Sequence, residues 1–184
     1  MAEIKIISGS EEIRLDLLHH RYIPKITPLW LFPGPDPMHI SKSPHVKLLR
    51  AIEKYGMNWG KLKNTKYVQE RRHRYNIGMT RWTDGHVKEH IKVRWKIYQS
   101  LKKNGWNKKL AKAKPVILLK KPIIETRYNW ESGFLSGPEV MDGMGRCSAA
   151  YVLGWKTIPV VWAEDAKPGA CEFSKAYNKI KSYK

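Results

Sequence analysis

The chain has little cysteine and no long apolar segment, and each shortage excludes a class of protein. Its 184 residues include two cysteines, Cys147 and Cys171, which are too few for a disulfide framework. No apolar run approaches the roughly 18 residues that a membrane-spanning helix needs, and no signal-peptide pattern is present. We therefore expect a cytoplasmic protein, in the host cytoplasm if it is viral, with no membrane partner.

Clusters of metal ligands are also lacking. The seven histidines are scattered along the chain, and no Cys/His spacing fits a zinc site. His86 and His90 are four residues apart and can share a helix face, but Val87 stands where the H-E-x-x-H motif has its glutamate. The sequence therefore excludes a metalloprotease of that class.

Acidic residues are few, 16 against 35 lysines and arginines, so the formal net charge is +19. Most of the excess lies in residues 42–114, which hold 21 basic and 4 acidic residues. A concentrated positive field is typical of proteins that bind the phosphate backbone of DNA or RNA. The alternatives are a solvated basic surface that aids solubility and a surface that binds anionic membranes.

Two predicted helices lie in this basic region, one over Tyr67–Tyr75 and one from about His86 to Asn104. In the second helix an apolar stripe recurs at helical spacing and includes one arginine, Arg94. Aromatic residues are interleaved with the charge, and two or three of them could stack on unpaired bases. We expect the following side chains to contact nucleic-acid phosphates: Arg71, Arg72, Arg74, Arg81, Lys88, Lys92 and Lys96.

The stretch 137–162 carries the most specific pattern in the chain. It predicts a strand, a glycine turn, a short helix, a second glycine turn and a strand, in the order 139–142, Asp142–Gly145, Arg146–Leu153, Gly154 and Thr157–Trp162. A glycine turn that leads into a helix directs backbone N–H groups toward one point and favours an anion there. An arginine in the first turn adds a planar, bidentate contact for phosphate.

This order of residues resembles the ParB/sulfiredoxin superfamily, whose signature is a strand, G-x-x-R, a small-residue helix, L-G and a strand like K-T-I-P-V. Gly143 and Arg146 match the G-x-x-R pair, and the rest is matched by Ala149-Ala150, Leu153-Gly154 and residues 156–160. The match is close over about 25 residues and looser over residues 29–165. It implies an α+β fold, a ParB/sulfiredoxin-like small mixed sheet flanked by helices, with a basic helical insertion.

We expect a single domain over residues 1–184, with the basic insertion at 56–82 and a C-terminal tail helix at 167–184. Ser43 and Pro44 are typical of an N-cap and a first helical residue. The remaining predicted elements are a strand at 4–7, a short helix at 11–18, a strand at 29–32, a helix at 45–55, a strand at 116–119 and its partner at 123–128.

Members of the superfamily bind or hydrolyse CTP, use ATP to phosphorylate a small molecule or a sulfinic acid, or are reported as nucleases. The resemblance therefore implies a site for CTP or ATP with Mg²⁺, and it implies Asp142 and Arg146 as catalytic residues. Asp142 is also the candidate metal ligand, with capping of the turn as the alternative role. The implied nucleotide-binding residues are Gly143, Gly145, Arg146, Cys147 and Ser148.

The chain departs from the superfamily at Met144. ParB proteins have a glutamate after the glycine, and sulfiredoxins have their reactive cysteine there, so sulfiredoxin chemistry is not expected. Cys147 follows the arginine and is typical of a small buried helix residue.

Three functions remain open. The leading hypothesis is a nucleic-acid-associated nucleotide- or phosphate-binding protein, with NTP hydrolysis or phosphoryl transfer as its reaction if it is an enzyme. The alternatives are a metal-dependent DNA-modifying or DNA-cleaving enzyme on the same fold, either a nuclease or a phosphotransferase, and a non-catalytic DNA- or RNA-binding protein. The oligomeric state is open, with a homodimer among the options. Small size and the basic insertion suit a phage or plasmid protein.

Overall fold

The computed structural model describes residues 4–6, 11–20, 39–76, 82–106, 115–119 and 138–165. These residues form an α+β fold with one mixed sheet and helices packed against it. The strands are β1 (Ile4–Ile6), β2 (Glu11–Arg14), β3 (His19–His20), β4 (Val116–Leu119), β5 (Glu139–Asp142) and β6 (Thr157–Asp165). The α-helices are α1 (Pro44–Tyr55), α2 (Trp59–Leu62), α3 (Lys66–Asn76), α4 (Asp84–Asn104) and α5 (Met144–Val152).

The nine-residue strand β6 organises the sheet. Its first half pairs antiparallel with β2 and its last residues pair antiparallel with β1, while β4 pairs parallel along its other edge. On the far side of β4 lies the antiparallel β5, and β3 pairs parallel with β5. Because β4 and β5 run in opposite directions, β4 begins where β5 ends. This places the start of β4 beside the glycine turn that follows β5.

Alternate residues of the strands build the core between the sheet and helices α1 and α5. Val116 and Leu118 of β4 and Ile158 and Val160 of β6 are buried in one cluster. Burial of each such aliphatic side chain contributes about 1.5–3 kcal/mol. Small residues of α5, among them Ala150, belong to the same cluster and let the helix approach the sheet closely.

Helix α1 joins this core to a second one. Ser43 caps it by accepting a hydrogen bond from the backbone N–H of His45, and Gly56 ends it at φ 61°. Its Leu48 and Ile52 pack with buried residues of three other helices, namely Leu62, Tyr67, Val68, Val87 and Ile91. The described part of segment 56–82, the predicted insertion, therefore shares a hydrophobic core with α1 and α4.

Most sequence-predicted elements are confirmed, including the helices at 45–55, 67–75 and 86–104 and the strands at 4–7, 116–119, 139–142 and 157–162. The helix predicted at 11–18 is wrong, because Glu11–Arg14 form strand β2 and Leu15–Leu17 form a 3-10 turn. The exposed edge of β6 offers backbone partners to this segment, and an isolated eight-residue helix is too short to compete.

Several predicted elements lie outside the described residues: the strand at 29–32, the partner strand at 123–128 and the tail helix at 167–184. Within the described ranges, no helix combines the length and the apolar character that crossing a membrane requires.

Candidate functional site

The turn between β5 and α5 depends on Gly143. Its φ of 93° and ψ of 8° lie in the left-handed region, which side-chain-bearing residues adopt at a cost. A Cβ at this position would stand 2.8 Å from Cγ2 of Val116 and 3.2 Å from its Cα. Only glycine therefore satisfies both the backbone conformation and the close approach of β4.

Arg146 lies in the first turn of α5 and reaches back toward the sheet. Its backbone N–H donates to the Gly143 carbonyl at 2.8 Å, and its Nη2 donates to the Pro115 carbonyl at 3.0 Å. The guanidinium is thus held beside the turn, 3.1 Å from where a Gly143 Cβ would be. The sequence-predicted pair of glycine and arginine is brought together in space.

A second arginine, Arg94 of α4, lies against Gly145 at the start of α5. Its Cδ and Cζ are each 3.1 Å from where a Cβ of Gly145 would stand, so the guanidinium rests on the backbone of α5. Its Nε is buried, and among the described residues the side chain makes no hydrogen bond and no ion pair. In the sequence, Arg94 falls on the apolar stripe of α4 and is not predicted to belong to the site. An arginine at a core-facing position is the feature of the sequence that could have indicated it.

Cys147 and Ser148, two implied nucleotide-binding residues, have fully buried side chains. Burial raises the pKa of the Cys147 thiol to about 12, although the nearby Arg146 lowers it. The Ser148 hydroxyl donates to Sδ of Met144 at 3.5 Å. Neither side chain reaches the surface beside the turn, so any contact with a ligand there falls to the backbone and to the arginines.

Asp142 closes β5, and its Oδ1 accepts a hydrogen bond from the Gly143 N–H at 2.7 Å. This contact is the one expected if the carboxylate caps the turn. Over the described segments, no group of three or more His, Cys, Asp or Glu side chains could hold a metal ion. A magnesium ion at this turn would therefore depend on ligand phosphates for most of its coordination.

Two of the predicted phosphate-contacting arginines have acidic partners within the chain. Arg72 makes a bidentate pair with Asp84, at 3.1 and 2.7 Å, which ties α3 to the start of α4. Arg74 pairs with Glu70, whose side chain is fully buried, and the Arg74 side chain is 18% exposed. Their positive charges are largely neutralised locally.

Arg71 is half-buried and lies over the rings of Tyr67 and Trp82, 5.1 Å from each centroid. The Tyr67 hydroxyl and Nδ1 of His90 share a hydrogen bond of 2.9 Å. Burial, then the charges of Arg94 and Arg71, lower the pKa of His90 to about 4. Both arginines therefore lie close enough to His90 for their charges to act on the imidazole.

The lysines of α4 form a separate surface. All three are exposed, namely Lys88, Lys92 and Lys96. They recur every four residues, and about the helix axis they lie roughly opposite Arg94. Lys88 lies 4.8 Å from the centroid of the Trp59 ring, and Lys92 pairs with the exposed Glu89 at 2.7 Å. This row therefore faces away from the glycine turn. Arg81, the remaining predicted contact, lies outside the described residues.

Few aromatic side chains of the basic region are available for stacking. Tyr67 and Tyr98 are buried, and Tyr98 is stacked on Trp95 at 4.9 Å. Tyr75 at the end of α3 is 50% exposed and is the clearest candidate among the described residues.

No protein-family model matches this chain, and neither a curated protein nor a solved structure matches it.

Proposed function

We propose that this chain is a nucleic-acid-associated protein that binds a phosphate or nucleotide at the turn before α5, on a ParB/sulfiredoxin-like fold. The observation that carries the proposal is the position of Arg146. Its guanidinium is anchored on the Pro115 carbonyl beside a left-handed glycine and a helix N-terminus. Backbone N–H groups at such a terminus and a positioned guanidinium together suit a phosphate group.

The ligand proposed for this site is CTP or ATP with Mg²⁺. The described residues suit a nucleotide whose own phosphates bind the metal, because Asp142 is the one carboxylate at the turn and its Oδ1 already accepts from Gly143. In such an arrangement the chain orients the phosphates, and the metal offsets their charge.

The proposed nucleic-acid surface is the row Lys88, Lys92 and Lys96 on the solvent face of α4. Exposed lysines at this spacing can follow a phosphate backbone without reading its sequence. The proposed contacts are to phosphates, which DNA and RNA share, so they do not distinguish the two. A binding assay that compares DNA with RNA decides which nucleic acid the protein binds.

Nucleotide titration tests the proposal. Isothermal titration calorimetry with CTP, ATP, GTP and UTP in Mg²⁺ should give saturable binding to the wild type. Arg146→Ala should weaken that binding at least about tenfold, the loss expected for a charge-assisted contact. Arg50→Ala, at an exposed arginine of α1, is the matched control and should bind as the wild type does. Absence of binding by the wild type would sink the proposal.

Turnover is tested separately with Asp142→Asn. If the protein hydrolyses nucleotide or cleaves DNA with Mg²⁺, and Asp142 is the catalytic carboxylate, the variant should lose most of that rate while it still binds nucleotide. If Asp142 serves as the turn cap instead, the variant should keep its stability and any turnover, because the asparagine Oδ1 can still accept from the Gly143 N–H. Phosphate release and DNA nicking assays, beside thermal unfolding, separate the two roles.

A further inference from the structure

Strand β2 lies at an edge of the sheet. Among the described strands it pairs with β6 alone, and β6 pairs on its other side with β4. The outer side of β2 is accessible, because Glu11, Glu12 and Arg14 are exposed. An edge strand presents backbone N–H and C=O groups with which a further strand can pair.

The hydrogen bonds to β6 determine which groups of β2 point outward. The Leu15 N–H donates to the Lys156 carbonyl at 2.9 Å, and along an antiparallel ladder every second residue bonds to the same neighbour. Ile13 lies two residues before Leu15 in an uninterrupted register, so it also bonds to β6. The backbone N–H and C=O groups of Glu12 and Arg14 therefore point away from β6.

Glu12 and Arg14 also share one face of the sheet. Side chains alternate along a strand, and Ile13 between them packs against the core cluster on the opposite face. Arg14 forms an ion pair with Asp16, and the two side chains are 67% and 53% exposed. Exposed pairs of this kind contribute little stability, so Arg14 can exchange Asp16 for another carboxylate. The outer edge of β2 thus carries an acid and a base two residues apart.

The spacing of these two charges is self-complementary. When two copies of β2 pair antiparallel about a two-fold axis at Ile13, Glu12 of each copy faces Arg14 of the other. Both residues have the outward backbone groups that a hydrogen-bonded pair needs. A shift of the register by two residues would place Glu12 opposite Glu12 or Arg14 opposite Arg14, and like charges directly opposite are destabilising. The charges therefore favour one register.

The charge of the whole chain indicates where a second copy can approach. The formal net charge is +19, and most of the excess lies in residues 42–114, so two copies repel each other across that surface. Residues 1–41 hold 4 basic and 5 acidic residues. The edge of β2 therefore lies in a part of the chain that does not repel a second copy.

We propose that the outer edge of β2 pairs with the same edge of a second copy of this chain, so that the sheet continues across a two-fold axis at Ile13. The Ile13 side chains of the two copies then lie opposite each other on the core side of the sheet, where they cover each other from solvent. This inference does not depend on the turn before α5, and it holds whichever ligand binds there.

Sedimentation velocity over a concentration series, on protein freed of nucleic acid, tests the pairing. The wild type should form a dimer that dissociates on dilution, because one short strand gives a small interface. Glu12→Arg and Arg14→Glu each place like charges opposite each other and should weaken dimerisation at least about tenfold. The matched controls are Glu89→Arg on α4 and Arg50→Glu on α1, at exposed residues, and they should dimerise as the wild type does.

Restoring the opposite charges should restore the dimer. The double variant Glu12→Arg/Arg14→Glu again places an acid opposite a base in both pairs. An equimolar mixture of the two single variants should form a heterodimer, since one copy then carries two arginines at this edge and the other carries two glutamates. Thermal unfolding shows that each variant is folded, and a variant that fails to fold cannot recover the dimer on mixing.

Hydrogen exchange locates the contact, and the outcomes decide the inference. The amides of Glu12 and Arg14 should exchange more slowly as the concentration of the wild type rises. A wild type that stays monomeric up to about 1 mM overturns the inference. So does a dimer that survives both single reversals, or one that neither the double variant nor the mixture restores. Edge amides that are protected at every concentration would mean that another segment of the chain covers β2, which also excludes the pairing.

Discussion

Gly143 packs directly against Val116, so the turn that follows β5 is in van der Waals contact with the first residue of β4. A Cβ on Gly143 would stand 2.8 Å from Cγ2 of Val116, and φ at Gly143 is 93°. The contact explains why the arginine-bearing turn is held at a defined place on the sheet. It also links the position of Arg146 to the packing of the central strands.

The first prediction concerns this contact. Gly143→Ala should lower the free energy of unfolding by about 2–4 kcal/mol, because it combines a strained φ with overpacking against β4. Gly154→Ala is the matched control, since Gly154 has φ 77° but open space around the added Cβ. Gly154→Ala should lower the free energy of unfolding by only about 1 kcal/mol. Urea unfolding measures both, and equal costs would contradict the role assigned to Val116.

The second prediction concerns the pair formed by Glu70 and Arg74. Glu70→Gln should destabilise the protein by about 2–3 kcal/mol, because Arg74 would remain mostly buried with its acidic partner neutralised. Burial lowers the pKa of Arg74 and the charge of Glu70 raises it. Glu70 therefore offsets part of the free-energy cost of burying the Arg74 guanidinium.

Glu89→Gln is the control for that pair. The side chains of Glu89 and Lys92 are 70% and 56% exposed, and exposed pairs contribute about 0–1 kcal/mol. Chemical denaturation of both variants gives the comparison. If the two substitutions lower the free energy of unfolding by the same amount, the pair of Glu70 and Arg74 contributes no more to stability than the exposed pair.

The third prediction concerns pH. Since the folded-state pKa of His90 is about 4 and an unfolded histidine has a pKa of about 6.5, the unfolded state binds more protons between these values. Stability should therefore fall as pH decreases from about 6.5 toward 4. His90→Gln should flatten this dependence by the order of 1 kcal/mol after solvent screening.

The pH series compares His90→Gln with the wild type under the same conditions. Thermal unfolding between pH 5 and pH 7 avoids the range in which most carboxylates titrate. An unchanged slope in His90→Gln would show that His90 is not the group that senses pH.

The fourth prediction contrasts lysines with an arginine in the basic region. If the row Lys88, Lys92 and Lys96 contacts a phosphate backbone, replacing all three by glutamine should reduce the salt slope of DNA binding by about 0.9 per lost contact. Arg72→Gln should change that slope little, because Arg72 is already paired with Asp84. Anisotropy titrations from low to moderate salt measure the slopes. Equal losses in the two variants would mean that Arg72 leaves Asp84 to bind nucleic acid.

Local features of the fold were predictable from the sequence. The cap at Ser43, the helix ends at Gly56 and Gly105 and the left-handed Gly143 and Gly154 all follow from chemistry within a few residues. The segment 11–18 was predicted wrongly because its partner, the edge of β6, lies nearly 150 residues away along the chain. Local propensity carries no information about a distant edge.

The sequence by itself determined that a turn with a glycine and an arginine exists, since Gly143 and Arg146 lie three residues apart and meet within one helical turn. Only the tertiary structure decided which other charges belong to that turn. It brings Arg94 to Gly145 and assigns Arg72 to Asp84 and Arg74 to Glu70. The physical reason is that a charge acts through its neighbours in space. The packing of α3, α4 and α5 determines which charges are neighbours, and a count of charges along the chain does not give this information.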